Sequence, residues 1–202
     1  MELAAAAAAL RKRGYAVSVF QTAAEAAAYL NGEIDGVSVG LGGSVTLREL
    51  GLYETLPAHN DFRSHWAPPG GRTPDETRLW AAGAEVYLSS VNGLAETGEL
   101  VFIDGKCNRV SSVLYGHKKV YLVVGNNKLV PDCEEAIRRA RNVAAPKNAV
   151  RLGVRTPCAA AGGTKCFDCK SPERICHALV VLWEKPAGSD TEVVLIDEEL
   201  GY

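Results

Sequence analysis

The stretch GVSVGLGGSVTLREL, residues 36–50, joins three local patterns that together predict an α/β fold. Its apolar first half predicts a buried strand, its glycines predict a turn, and Ser44 is a suitable N-cap for the helix that follows. Glycines let a backbone approach a ligand, and a helix N-terminus presents free N–H groups to an anion. The glycine spacing matches neither the dinucleotide-binding fingerprint nor the P-loop. The stretch therefore predicts either a simple turn or an anion site of another kind.

Helices and strands alternate on both sides of this stretch. Apolar strands between helices favour an α/β sandwich whose sheet is mainly parallel. The segment 57–72 has the prolines and glycines of an irregular loop, and Trp66 within it could cover a ligand or a partner surface. The predicted helices span 2–13, 22–32, 44–56, 73–83, 108–115 and 130–146, the last ended by Pro146, and the predicted strands span 15–20, 36–43, 84–91, 99–104, 118–125, 178–185 and 191–200.

Length, charge and cysteine content argue against several classes of protein. The 202 residues are predicted to form one domain, 1–202, and a net charge of −2 gives no global basic field for nucleic acid. No apolar run approaches the roughly 20 residues of a membrane helix, so no membrane span is expected. Basic residues follow the N-terminal alanine run and do not precede it, which is unlike a secretory signal and predicts a cytoplasmic protein. In that compartment six cysteines indicate metal binding or reactivity and argue against a disulfide framework.

Three glycine-rich or polar turns follow predicted strands: GLGGSV at 40–45, NGLAETG at 92–98 and GNNK at 125–128. Ligands of open parallel sheets bind outside the carboxyl ends of the strands, so these turns could line one crevice. The alternative is that Asn-Gly and Gly-Asn pairs merely form turns, but the cations nearby favour a small anionic ligand. The candidate ligand-binding residues are Gly42, Gly43, Ser44, Thr46, Asn92, Thr97, Gly98, Asn108, Arg109, Asn127 and Lys128.

Two carboxylates near the predicted crevice are candidates for acid–base catalysis. A buried carboxylic acid can exchange a proton near neutral pH because burial disfavours its charged form. Glu96 and Asp104 are therefore the candidate catalytic residues. The alternative is that Glu96 stabilises a turn and that Asp104 simply ends a strand.

The stretch TPCAAAGGTKCFDCKSPERIC, residues 156–176, holds four of the six cysteines and predicts a metal-binding segment at 156–177. Its Cys-x₂-Cys core recurs in zinc and iron–sulfur sites, since two thiolates at that spacing reach one ion. The spacing does not choose between zinc and an iron–sulfur cluster. A redox dithiol or structural thiols are the alternatives, and His177 could replace a remote fourth cysteine. The candidate metal ligands are Cys158, Cys166, Cys169 and Cys176.

Several segments, in order, resemble the LUD (lactate utilization protein) domain family: GLGGSVTLRELGL, NGLAETGELVFIDGKCNRV, KKVYLVVGNNKLV, EEAIRRARNVAAPKNAVRLGVRTPC and EELGY. The resemblance covers about residues 15–202. It implies a three-layer α/β/α sandwich with a mainly parallel sheet, similar to ribose-5-phosphate isomerase, glucosamine-6-phosphate deaminase and the CoA transferases. Some members are implicated in oxidising L-lactate to pyruvate within a multi-subunit iron–sulfur system, so iron–sulfur redox partner subunits are expected.

The chain departs from larger members of that family. Their ferredoxin-type cysteine runs, C-x₂-C-x₂-C-x₃-C, do not occur here, so the chain resembles a short stand-alone member. Cys107 stands where the family pattern GNGNR has a small residue. The resemblance implies a contribution to L-lactate oxidation or related redox metabolism, with a bound anion and a metal or iron–sulfur centre. The alternatives are an isomerase or transferase acting on a phosphorylated or CoA-linked substrate, with structural zinc, and a non-catalytic subunit that docks on iron–sulfur partners.

Overall fold

The computed structural model describes residues 2–68 and 70–202. Two sheets contain its strands. The larger sheet has six strands in the order β1-β10-β7-β4-β2-β3, and all neighbouring pairs are parallel. The strands are β1 (Ala16–Phe20), β2 (Ser38–Leu41), β3 (Asp61–Ser64), β4 (Val86–Ser89), β5 (Gly93–Ala95), β6 (Leu100–Asp104), β7 (Lys119–Gly125), β8 (Leu129–Val130), β9 (Ala178–Leu182) and β10 (Asp190–Ile196).

Helix starts follow capping signals in the sequence. Thr22 and Thr73 each accept the N–H three residues on, and the glutamate there bonds back, which completes two capping boxes. Short 3₁₀ helices lie at Leu56–Ala58 and Asn126–Lys128, and a π-helical turn lies at Ala140–Ala144. The helices are α1 (Leu3–Lys12), α2 (Ala23–Glu33), α3 (Val45–Glu49), α4 (Leu52–Thr55), α5 (Pro74–Ala82), α6 (Asn108–Leu114), α7 (Cys133–Arg139), α8 (Ala145–Leu152) and α9 (Pro157–Ala160).

Two hydrophobic cores form on opposite faces of the six-stranded sheet. Along β7, Leu122 and Val124 join the core that contains α1 and α6, whereas Tyr121 and Val123 join the core that contains α2, α3 and α4. Successive side chains of a strand point to opposite faces, so an apolar run such as this one needs helices on both sides. The arrangement is a three-layer α/β/α sandwich, and the fold prediction is confirmed.

The second sheet was not predicted. Its order is β8-β5-β6-β9, with β5–β6 and β6–β9 antiparallel and β5–β8 parallel. The last two strands of the chain, β9 and β10, therefore lie in different sheets. One face of this sheet packs into the α1 and α6 core, and the other packs against α7.

Three predicted boundaries were wrong. Residues 61–64 of the supposed irregular loop form β3, a short edge strand of the larger sheet. The helix predicted at 44–56 breaks at Gly51, whose φ of 70° lies in the left-handed region. The helix predicted to end at Pro146 continues to Leu152. A π-helical turn immediately before α8 accommodates the proline ring and its missing N–H donor.

Within residues 2–68 and 70–202, none of the helices combines the length and apolar character that a membrane crossing requires.

Candidate functional site

A cavity of about 560 Å³ lies at the carboxyl edge of the six-stranded sheet. Parallel sheets bind ligands there because the loops after their strands meet at one edge. Helices α6 and α8 and the segment 174–177 also contribute to its walls. The lining residues that follow strands of the larger sheet are Gly43, Ser44, Val45 and Thr46 after β2, His65 and Trp66 after β3, Ser90, Val91 and Asn92 after β4, and Lys128 after β7.

The cavity carries more positive than negative charge. Among the lining residues that the structure describes, six are lysine or arginine and one is a carboxylate, Asp104. Two of the cations share the exposed carboxylate of Asp75. Lys128 and Arg151 instead contact neutral hydroxyl and amide groups, so their charges remain available to a ligand. The six cations are Arg78, Lys106, Arg109, Lys128, Arg151 and Arg174.

Lys128 is almost fully buried, with 2% of its surface exposed. Its Nζ donates hydrogen bonds to Thr46 Oγ1 at 2.6 Å and to Ser90 Oγ at 2.7 Å. Burial, together with the nearby charges of Arg139 and Arg109, lowers the pKa of Lys128 to about 7. An amine with that pKa gains or loses a proton near neutral pH, so Lys128 is suited to acid–base chemistry on a ligand in the cavity.

Asp104 anchors the start of α6. Its Oδ1 accepts the N–H of Cys107 at 3.2 Å, and its Oδ2 accepts the N–H of Val110 at 3.1 Å. Arg109 lies 3.8 Å from the same carboxylate and donates to the main-chain oxygen of Ser90 at 2.7 Å. Because its oxygens already accept these bonds at the end of β6, the geometry of Asp104 favours the structural alternative, a residue that ends a strand, over a catalytic role.

Some lining side chains were not among the sequence candidates. His65 and Trp66 follow β3, which was missed, and Arg151 lies in the part of α8 that was not predicted. Arg151 Nε donates to Tyr202 Oη at 2.9 Å, and its guanidinium lies 4.8 Å from the Trp66 ring centroid. Burial lowers the pKa of His65 to about 4, so its ring is neutral at physiological pH. Trp66, a large aromatic residue in a turn-rich segment, was the only feature of the sequence that indicated this wall of the cavity.

Most predicted ligand residues meet at the cavity. Gly42 and Asn127 lie just behind its wall. A side chain at Gly42 would meet Arg109 and Tyr87, and Asn127 bonds the backbone of Leu200 at 3.2 Å. The predicted residues that line the cavity are Gly43, Ser44, Thr46, Asn92, Asp104, Asn108, Arg109 and Lys128.

Glu96, Thr97 and Gly98 do not line this cavity. They form the turn between β5 and β6, which contacts the end of α1. Arg13 Nε donates to the main-chain oxygen of Thr97 at 2.7 Å. The structure therefore separates these predicted ligand and catalytic residues from the group around Lys128.

The separation arises because β5 carries the chain away from the edge of the larger sheet. Gly93 suggested a turn in the sequence, but it lies within β5. A Cβ atom there would lie 2.7 Å from the main-chain oxygen of Ala136, so this glycine allows β5 to pack closely on α7.

Comparison with known proteins agrees with this architecture. The family model for the LUD domain matches residues 3–196. The chain belongs to the LUD domain family. A crystal structure of a DUF162 family protein from Deinococcus radiodurans is similar to this LUD domain, with a TM-score of 0.55 and 12% sequence identity over 96% of this chain and 95% of that chain. At that identity the likeness supports the fold alone. Among curated proteins, no sequence matches the chain.

The four cysteines of the segment 156–177 line a second cavity of this LUD domain, of about 20 Å³. All of them are free thiols. Across residues 2–68 and 70–202, no group of three or more His, Cys, Asp or Glu side chains is arranged to hold a metal ion. The thiols are therefore gathered at one cavity without the spacing of metal ligands. They are Cys158, Cys166, Cys169 and Cys176.

Other candidates for thiol or metal chemistry lie elsewhere in the LUD domain. His177 lines the larger cavity, and its Nδ1 lies 3.2 Å from the main-chain oxygen of Gly105. Cys107 packs against the α1 and α6 core with a left-handed φ of 62°. Cys133 begins α7.

Proposed function

We propose that this LUD-domain protein binds a small anionic substrate in the larger cavity and that Lys128 exchanges a proton with it. One observation carries the proposal: six cations and one carboxylate line a cavity of about 560 Å³, and the most buried cation contacts only hydroxyl groups. A low-dielectric site strengthens the attraction between such cations and an anion. Arg151 and Arg174 would bind the anionic group, and Lys128 would face the bond that changes.

The substrate that we propose is a 2-hydroxy acid such as L-lactate, in keeping with the lactate-utilization family. Oxidation to pyruvate breaks the O–H bond and the C–H bond on one carbon, forms a C=O bond, and releases two protons and two electrons. Lys128 in its neutral form would accept the hydroxyl proton, and the second proton would leave to solvent. Iron–sulfur partner subunits would be the electron acceptor, so the chain would contribute to oxidation and not complete it alone.

A second candidate function is an isomerase or transferase reaction on a phosphorylated or CoA-linked substrate. The cavity volume favours this candidate, because sites of about 300–1,000 Å³ enclose ligands larger than lactate. The number of cations favours it as well, since a phosphate carries more charge than one carboxylate and offers more oxygens for arginine to contact.

Calorimetric titration of the full chain tests both candidates. The ligands are L-lactate, D-lactate, pyruvate, ribose 5-phosphate and coenzyme A, with Arg151→Met as the cavity variant and Arg138→Met, on exposed helix surface, as the control. We expect L-lactate to bind better than D-lactate and the cavity variant to bind at least tenfold more weakly. Binding of only the phosphorylated or CoA-linked ligands would support the second candidate.

Turnover is measured under anaerobic conditions with L-lactate and a one-electron dye, with and without iron–sulfur protein. Dye reduction that depends on Lys128 supports the oxidation reaction. Isotope exchange into ribose 5-phosphate, without dye reduction, supports the second candidate. If no anion binds in the titration, both candidates are wrong.

A further inference from the structure

The cysteine segment adopts a defined path without regular secondary structure. Between α9 and β9, residues 161–177 form turns and extended backbone and no helix or strand. Connections of this length without secondary structure are uncommon in compact domains and are usually functional. Three of the four cysteines lie in this connection, and Cys158 lies in α9 just before it. The path therefore brings four thiols, spread over nineteen residues of sequence, to one small cavity.

The size of this cavity fits one ion. Its volume of about 20 Å³ has room for roughly one water-sized sphere. A single tetrahedral ion requires less rearrangement of these walls than a cluster of several iron and sulfide atoms. Four thiolates are a donor set that zinc accepts in structural sites.

Two of the sulfurs already receive polar contacts from their surroundings. The N–H of Asp168 donates to Cys166 Sγ at 3.3 Å, and Thr156 Oγ1 lies 3.2 Å from Cys158 Sγ. Asp168, between Cys166 and Cys169, has a left-handed φ of 45°. Such contacts to a sulfur restrict the orientation of a metal-binding side chain.

The charges around the small cavity also suit a thiolate site. A divalent ion with four thiolates has a net charge of about −2. Arg141 and Arg174 both line the cavity. Arg174 Nη1 donates to the main-chain oxygen of Cys169 at 2.8 Å, and its Nε donates to that of Cys176 at 2.9 Å. Arg174 thus holds the main chain at Cys169 and at Cys176 and supplies positive charge beside the sulfurs.

We propose that Cys158, Cys166, Cys169 and Cys176 bind one zinc ion. Since the thiols do not yet have the spacing of metal ligands, binding requires their side chains to rotate toward the cavity. Three of the four cysteines lie in residues 161–177, which form no helix or strand, and Cys158 lies in the single helical turn of α9. This proposal does not depend on the identity of the anionic ligand.

The ion would lie directly behind a wall of the larger cavity. Ala145, Arg174 and Ile175 line both cavities. Zinc at the four thiols would therefore fix the position of the Arg174 side chain that faces the anion. The proposed role is structural, with its effect transmitted to the ligand site through one shared arginine.

Metal analysis of the full chain, purified without chelator under anaerobic conditions, tests the proposal. We expect about one zinc per chain in the wild type and in Cys133→Ser, whose sulfur lies outside the segment. We expect loss of zinc in the double variant Cys166→Ser and Cys169→Ser. Since that variant can fail to fold, chelator-treated wild type is also titrated with Co²⁺, which should give thiolate-to-cobalt charge-transfer absorption at one equivalent.

The opposing results are specific. Stoichiometric iron and sulfide with visible absorption would show a cluster, and the single-ion proposal would be wrong. A protein that neither contains zinc nor binds Co²⁺, or that forms a Cys166–Cys169 disulfide on mild oxidation without ever binding metal, would also overturn it. Anion titrations play no part in these measurements, so this proposal and the proposed function can fail separately.

Discussion

The two cavities of this LUD domain differ in what holds their walls. The larger one lies where the loops after four parallel strands meet, and its central lysine and arginine are buried among hydrogen-bond partners. The smaller one lies between the start of α8 and a connection that is mostly without helix or strand, and its four cysteines are half-buried. The ion pair between Arg141 and Asp168 in its wall is exposed and contributes little. Fold topology determines the first site, whereas the second depends largely on the path of one irregular connection.

The largest expected effect is the loss of stability in Arg109→Met. This arginine donates to the main-chain oxygens of Ser90 and Ile103 and to Asn92 Oδ1, and each of these three acceptors would lose a charged donor. We expect the free energy of unfolding to fall by about 3 kcal/mol or more. Arg138→Met removes a surface ion pair and should cost less than about 1 kcal/mol. Urea unfolding measures both, and equal losses would contradict the idea that the larger site is built into the fold.

A second expected effect is a pH dependence of anion binding that comes from Lys128. Below pH 7 this amine is charged and attracts an anion, and its charge is lost as the pH rises through its pKa of about 7. We expect affinity for sulfate, whose own charge does not change in this range, to fall by about tenfold or more, since hydrogen bonds to charged groups contribute about 1.5–3 kcal/mol. Lys128→Met should bind weakly with little change of affinity near pH 7.

The control for that prediction is Lys118→Met, at the opposite end of the same strand, where the lysine is exposed and paired with Glu85. It should keep the wild-type pH profile of binding.

The pH dependence of stability gives an independent check whose sign is fixed by the lowered pKa of Lys128. Between pH 7 and 10.5 the unfolded state binds the Lys128 proton and the folded state does not, so wild-type stability should rise with pH relative to Lys128→Met. A pH profile of binding that survives in Lys128→Met would assign the titration to another group.

A smaller effect connects the two cavities. If zinc fixes the wall that carries Arg174, chelation should weaken anion binding by about tenfold in the wild type, which corresponds to 1.4 kcal/mol. Arg174→Met should lose a similar factor and then show no further loss on chelation, because both changes act on one interaction. Zinc analysis of Arg174→Met shows whether the variant still binds zinc, so that only the arginine side chain has been removed. Independent, additive losses would mean that the two cavities are not coupled.

The position of the larger site could be predicted from the sequence because strand ends in a parallel sheet converge whatever their side chains. Ser44, Asn92 and Lys128 are far apart in the chain, yet each follows a strand and each lines the cavity. The role of Asp104 could not be predicted, since the same carboxylate can end a strand, close a turn or exchange a proton. Its partners became known only with the path of α6.

The walls that the sequence missed depend on two local compensations. Pro146 predicts a helix end, but the π-helical turn before it lets α8 continue and bring Arg151 to the cavity. Gly93 predicts a turn, but it allows β5 to pack against α7, which moves Thr97 away. In both cases tertiary packing overrides a local signal that is correct for an isolated segment.

The smallest effect concerns Asp168, which has a left-handed backbone between Cys166 and Cys169. Asp168→Gly and Asp168→Ala both remove the exposed carboxylate, so they differ only in their backbone preference. If this left-handed conformation is fixed, the glycine variant should be more stable by about 1 kcal/mol, because alanine is strained at positive φ. If the segment can rearrange, the order should reverse, since glycine gives the unfolded chain more conformational freedom. Lys170, outside the left-handed region, serves as the control, where alanine should be the more stable of the two in either case. Urea unfolding of the zinc-loaded and the chelated protein tests whether the ion fixes this conformation. If the glycine variant is the more stable one only with zinc, the shape of the small cavity depends on its ligand, whereas that of the larger cavity depends on the sheet.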